Sequence, residues 1–430
     1  MRPHMPVIIV GGGQAGLSVG YCLKQRGIEH VIFEKDCIAS AWKKQRWDTF
    51  CLVTPNWQCA LPGFPYQGDD PHGFILRDAI VDYVETYAKS FDAPVREGMG
   101  VHRVSREGGR FLVETDDGDW TADAVVAATG GYHRPKLLPF AADLPETIAQ
   151  YHSSTYRNPQ SLPEGDVLVI GTGQSGAQIA EDLHLAGRKV HLCVGSAPRS
   201  PRFYRGRDVT DWLVDMGHYD MPVDQHPLGE NVRKKANHYL TGRDGGRELD
   251  LRKFAREGMQ LYGRAAELKG DFLATHPNLA GNLDNADASA NRIRAQVDIW
   301  IAERGIDAPE EAHYQPVWQP VTEPTGIDLS SANIRSIVWC TGFTSDFGWI
   351  DLPVLDDRGY PTHWRGATRE PGLHVLGLPW LYTWGSGRFS GIARDADHTA
   401  TLIEEQLTDM PISADRSRGK WPVAAIAALD

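Results

Sequence analysis

The sequence predicts an α/β protein of two dinucleotide-binding folds, the second inserted in the first and carrying a helical insertion. Three observations predict it. An apolar strand pattern enters a G-x-G-x-x-G turn near the N-terminus, and strand and turn recur in near copy at Gly171. With 430 residues, the chain is also longer than one hydrophobic core usually organises.

The first unit opens on Val7, Ile8, Ile9 and Val10, a continuous apolar run suited to a central parallel strand. It leads into Gly11-Gly12-Gly13-Gln14-Ala15-Gly16 and a helix to about Gln25, with Gly27 at the C-terminal stop. A second strand over 30–33 ends on Glu34, which Lys35 follows. Glycines let such a turn bend tightly and approach a pyrophosphate, while the helix N-terminus offers free N–H groups and a positive dipole end. Gly11, Gly13, Gln14, Ala15 and Gly16 are therefore candidate cofactor contacts, with Lys35 beside them. Glu34 lies where an acid accepts hydrogen bonds from the adenosine ribose hydroxyls.

The copy runs through a strand over 166–170, then Gly171-Thr172-Gly173-Gln174-Ser175-Gly176, a helix to about Leu185 and Gly187 at its stop. Gly171, Gly173, Gln174, Ser175 and Gly176 are the matching candidates. The position equivalent to Glu34 is Val194, so no carboxylate repels a 2′-phosphate there. Ser196, Arg199 and Arg202 follow at once and favour NADPH over NADH.

After Pro198 the pattern turns helical, with Leu251, Phe254, Ala255, Gly258, Leu261, Tyr262 and Ala265 at helical spacing, and likewise Ile293, Val297, Trp300 and Ile301. Two apolar strands end in Thr129-Gly130 and Thr341-Gly342, closing the two nucleotide units. A glycine-rich loop with Arg388 then precedes the last helix, giving a second helix N-terminus near the cofactor. The expected division is 1–158 with 325–430 as the FAD-binding unit. Residues 159–324 form the NAD(P)H-binding unit, with the helical insertion at about 203–306 and a loosely held tail from Thr408.

A formal net charge of −12 argues against nucleic acid and anionic membrane as partners, since both call for a basic face. No apolar run approaches the roughly 20 residues of a membrane span. The first residues lack the layout of a secretory signal. The six cysteines are scattered without a C-x-x-C pair, which disfavours a disulfide framework or a structural metal. A reduced, cytoplasmic protein with no metal is expected.

The order first G-x-G-x-x-G, Ala-Thr-Gly, second G-x-G-x-x-G, Thr-Gly-Phe resembles class B flavin-dependent monooxygenases, the flavin-containing and YUCCA-like group. Gln150-Tyr151-His152-Ser153-Ser154-Thr155-Tyr156 is similar to the H-x-x-x-(W/Y) half of that family's fingerprint. Glu146 and Ile148 stand where the family has Phe and Gly. The segment 42–56 resembles the family's W-x(n)-Y-D segment, with Trp42 at the cofactor and Asn56 nearest to an asparagine that contacts the oxygenated flavin. The resemblance implies FAD, NADPH, O2 and a small organic substrate, with chemistry through a flavin C4a-(hydro)peroxide. N- or S-oxygenation is favoured, and attack on a carbonyl or 2-oxo acid is the alternative. Asn56 and His152 are the implied catalytic residues, His152 acting by holding the nicotinamide half and the linker rather than as a general base. Related enzymes are often dimers.

Two other readings stay open. A disulfide reductase needs a redox cysteine pair near the flavin, and Cys51 and Cys59 are eight apart. An uncoupled NADPH oxidase or non-catalytic flavoprotein would share every nucleotide motif. Trp212, Trp300, His218, His226, His238 and Tyr239 in the insertion, with Trp380, Tyr382 and Trp384 before the last helix, are candidate pocket walls.

Overall fold

The computed structural model describes residues 2–408. Most of the tail expected from Thr408 lies outside them.

Apolar runs that can be buried on both faces become central parallel strands. His4–Val10 is such a strand, flanked by His30–Glu34 and Gly118–Ala127, all in parallel register. Val95–Glu97 extends one edge, and Leu373–Val375 adds in parallel to Gly118–Ala127. The antiparallel strands Arg110–Thr115 and Val101–Glu107 complete this sheet. Helix Gln14–Gln25 packs on one face together with the last helix, Ile392–Leu407. Leu17, Val19, Leu23, Ile392, Ala396, Ala400 and Ile403 share one buried cluster there.

The second sheet is wholly parallel. Its order is Ala149–His152, Ile334–Trp339, Asp166–Ile170, Val190–Cys193, Gln260–Tyr262. Helix Gln174–Leu185 follows Asp166–Ile170 as Gln14–Gln25 follows His4–Val10. The chain thus leaves the first sheet, builds the second and returns, which is the inserted arrangement the motif order predicts.

Two expectations are corrected. Boundaries at 158 and 325 cut through the second sheet, because Ala149–His152 and Ile334–Trp339 pair with each other inside it. The crossings lie just beyond the two Thr-Gly motifs, where Arg134–Pro135 and Phe343–Thr344 pair antiparallel. The stretch 203–306 is only partly helical. It holds helices Val209–Asp215, Leu251–Arg256 and Leu279–Arg304, yet Gln260–Tyr262 joins the parallel sheet. Ala265–Lys269 and Phe272–Thr275 form a small antiparallel sheet with Gly326–Asp328. Gly258 explains the break: its φ of +112° ends the helix, and pairing with Val190–Cys193 then overrides the helical spacing of Leu261 and Tyr262.

Candidate functional site

The first turn is built by close approaches that only glycine permits. Gly11 has φ +113°, and a Cβ there would lie 2.6 Å from the Ala128 carbonyl oxygen. A Cβ on Gly16 would lie 1.9 Å from the carbonyl oxygen of Gly11, so this glycine lets the helix close onto the turn. Gly13 differs, since nothing stands within 4 Å of the Cβ it lacks. That open position sits at the N-cap of Gln14–Gln25, whose first turn has no side-chain cap. Glu34 is buried, and each carboxylate oxygen accepts a backbone N–H, Gly12 at 2.7 Å and Asp36 at 2.9 Å. Lys35 beside it is exposed. Thr129 follows the neighbouring strand, and its hydroxyl is buried with no protein partner.

The C-terminal loop closes over this turn. Gly377 packs so tightly on the buried Ala15 that a Cβ would lie 2.6 Å from the Ala15 Cβ. Gln14 bridges outward, accepting from Trp42 Nε1 at 3.2 Å and donating to Gly387 O at 3.4 Å. Trp42 stacks on Phe389 with ring centres 5.7 Å apart. Arg388 donates to Trp384 O and to Asn237 Oδ1, the latter in the insertion.

The second turn repeats the plan. Gly171 has φ +103° beneath the Cys340 carbonyl, a Cβ on Gly176 would meet Gly171 O at 2.0 Å, and Gly173 is open. Gln174 donates to Leu240 O, and Ser175 is partly buried in the first turn of its helix. Val194 is buried and Ser196 exposed.

The arginines expected beside Ser196 are a correction. Arg199 is buried between Glu248 and Asp287, both at 2.8 Å, and stacks over Tyr314. Arg202 is buried on Asp208, with Nη1 donating to Val53 O at 2.7 Å. Both charges are already neutralised inside the protein, because a buried guanidinium without an acid is too costly to keep. One exposed arginine that the sequence reading did not single out is Arg264. It follows Gln260–Tyr262, the strand parallel to Val190–Cys193, and its guanidinium is exposed with no ion pair among the described residues. Reading that strand as helix hid that Val190–Cys193 and Gln260–Tyr262 end side by side, with Ser196 and Arg264 in the segments that follow.

The two implied catalytic residues are both engaged with backbone. Asn56 is buried, donates Nδ2 to Asp70 O at 2.8 Å and accepts Ile75 N–H on Oδ1 at 2.6 Å, so it staples the loop over 70–75. His152 donates from Nε2 to Gly342 O at 3.0 Å, which leaves Nδ1 to accept from Ser154 N at 3.2 Å. Burial holds its pKa below the ordinary histidine value, and the ring is edge-on to Phe343 at 4.7 Å. It is a neutral clamp on the returning crossing, with Thr341 donating to Lys136 O beside it. Tyr156 is buried, and its hydroxyl donates to Asp182 Oδ2 at 2.6 Å. Asp182 also accepts Thr49 at 2.7 Å and Arg243 at 2.5 Å. Nothing in the sequence marked Asp182 as the joint between first-unit segment, linker and insertion.

The cysteines give no redox pair. All six are unpaired; Cys51 and Cys59 are buried, which pushes their thiols up to about 11 and about 12. Thiols so held stay protonated and inert.

A family model described as pyridine nucleotide-disulphide oxidoreductase matches residues 8–214. An uncharacterized CzcO-like oxidoreductase of Geobacillus kaustophilus is 33% identical over 402 residues, covering 93% of this chain and 98% of that protein. The chain belongs to the CzcO-like oxidoreductases. A probable indole-3-pyruvate monooxygenase, YUCCA4 of Arabidopsis thaliana, is 34% identical over 191 residues, or 44% of this chain and 46% of that protein. The solved flavin-containing monooxygenase of Stenotrophomonas maltophilia superposes with a TM-score of 0.61 at 21% identity, covering 94% of this chain and all of that one. This CzcO-like oxidoreductase therefore has the flavin-monooxygenase fold that the motif order implied. No helix of the described residues is long and apolar enough to cross a membrane.

Proposed function

We propose that the protein is an FAD-containing, NADPH- and O2-dependent monooxygenase of a small organic substrate. The observation that carries the reading is the pair of open glycines, Gly13 and Gly173, each at the start of a helix whose other glycines are closed by contact. An open cradle before an uncapped helix N-terminus suits a pyrophosphate. The first cradle fits FAD: Glu34 retains acceptor capacity for ribose hydroxyls, the orphaned Thr129 hydroxyl awaits a partner, and Trp42 borders the turn. The second fits NADPH, with Val194 in place of an acid and Ser196 and Arg264 free for a 2′-phosphate. FAD bound there would supply hydride uptake from NADPH and delivery of one oxygen atom of O2, the other leaving as water. The chain's own part is to bind and orient. Asn56 and His152 act as positioning residues, one fixing the loop over 70–75 and the other the crossing at Gly342.

Support for a monooxygenase over a disulfide reductase comes from the buried, unpaired thiols. N- or S-oxygenation is the first expectation and carbonyl or 2-oxo-acid attack the second. The test is a screen of amines, sulfides, carbonyl compounds and 2-oxo acids on FAD-loaded protein, following NADPH oxidation, peroxide and product mass. Substrate-dependent NADPH use with one oxygen atom gained supports the reading. Peroxide in equal amount to NADPH with every class contradicts it. For the nucleotide site, Arg264→Ala is expected to raise KM for NADPH about tenfold while leaving KM for NADH unchanged.

A further inference from the structure

Buried arginines in this fold are paired with acids as a rule. Arg199, Arg202, Arg252 and Arg294 each meet a carboxylate. Part-buried Arg157 and Arg188 lack an acid but are held by three or more backbone carbonyls each, whereas Arg46 and Arg388 have neither. Among the described residues, neither Arg46 nor Arg388 has a carboxylate within ion-pair distance, and burial holds both guanidiniums below their ordinary pKa. Arg46 lies over Trp42 at 5.1 Å and Phe50 at 5.5 Å, with one bond to Gln45 O. Arg388 lies over Trp384 at 3.8 Å, and Trp384 is stacked on Tyr219 at 4.2 Å.

The two are linked through Trp42 and the loop over 387–389. Trp42, under Arg46, stacks on Phe389, the residue after Arg388, and Gln14 ties Trp42 to Gly387. A guanidinium carries five N–H donors, so each retains donors beyond these bonds. Desolvated cations over aromatic rings are costly without an anion. The dinucleotide phosphates already have their own donors in the two helix-opening turns.

We infer that Arg46 and Arg388 form the anion site for the substrate, whose carboxylate they bind while its apolar body lies against Trp42 and Trp384. The substrate class is then a small, largely apolar organic acid. This rests on the monooxygenase reading and assigns Arg388 to substrate in place of the cofactor contact its sequence position suggested.

The test titrates FAD-loaded protein with benzoate and with benzamide, its neutral isostere, reading tryptophan fluorescence. Benzoate is expected to bind more tightly than benzamide. Arg46→Met and Arg388→Met are each expected to weaken benzoate about tenfold or more, with Arg46→Lys and Arg388→Lys intermediate, benzamide unmoved and FAD content at the parent level. Equal binding of the two probes would overturn the inference. So would variants that shed FAD or lose NADP+ affinity while holding benzoate as before. The fluorescence comparison does not depend on flavin turnover. Failure to take up FAD, or peroxide as sole product, strikes the monooxygenase reading, whereas the benzoate-to-benzamide ratio strikes the anion site.

Discussion

At the residue scale, position in the turn separates glycines that shape the protein from glycines that face a ligand. Gly16 and Gly176 are closed by the carbonyls of Gly11 and Gly171, so alanine there is expected to break the turn itself. Gly13 and Gly173 have free space, so on the proposed reading they report on the cofactor alone. The same scale separates the arginines. Arg199→Ala takes one of two arginine partners from part-buried Glu248 and buried Asp287, which keep Arg294 and Arg252, so urea unfolding is expected to show a loss of about 1.5–3 kcal/mol. The ratio of NADPH to NADH use is expected not to move, whereas a 2′-phosphate role for Arg199 would shift the ratio and spare stability. The nucleotide turns were legible in the sequence because their spacing is local. The fate of Arg199 was not, because Glu248 and Asp287 lie far along the chain.

At the element scale, the strands that were legible are those buried on both faces, such as residues 7–10 and 167–170, whose continuous apolar runs leave no other reading. Gln260–Tyr262 was hidden because its three residues carry too little pattern to outweigh the helical spacing around them. Only its partner strand fixes it. The four residues of strand Ala149–His152 likewise carry too little pattern to mark a strand, although His152 and Tyr156 within and after it stand out by the fingerprint. The joint at Asp182 belongs to this scale, since it gathers Tyr156, Thr49 and Arg243 from three separate segments. Tyr156→Phe removes one buried hydrogen bond to a charged acceptor, and a loss of about 1.5–3 kcal/mol is expected in urea. An unchanged urea midpoint would mean that Asp182 keeps no net interaction with this hydroxyl.

At the scale of the whole molecule, several histidines are buried neutral, and this sets an acid limit. His374 is held at about 4 by burial and by His398 of the last helix, and His238 at about 4 by burial, His218 and Arg292. The unfolded chain binds these protons from about pH 6.5 downward, before the folded one does. Their contribution to stability is therefore full above pH 6.5, falls from there to about pH 4 and levels off below. Glu181, Asp211 and Asp395, raised by burial, act the other way. They cost stability at neutral pH and regain it as the pH drops into their range. His374→Gln isolates one member, and the parent is expected to lose about 2 kcal/mol more than this variant between pH 7 and pH 5. Parallel losses would show that His374 is protonated without penalty. The inserted two-sheet plan was legible from motif order, while the crossings at Arg134–Pro135 and Phe343–Thr344 were not, since two-residue ladders leave no periodic trace.

The division of labour between the two turns is tested most directly by Gly13→Ala and Gly173→Ala, purified side by side. Melting of the FAD-free proteins checks that neither substitution disturbs the fold, as the open space at both positions requires. Gly13→Ala is then expected to lose FAD. Gly173→Ala is expected to retain FAD at the parent level but to need at least about tenfold more NADPH for half-maximal flavin reduction. Loss of FAD in Gly173→Ala, or full FAD content with impaired NADPH use in Gly13→Ala, would contradict the assignment of the two cradles.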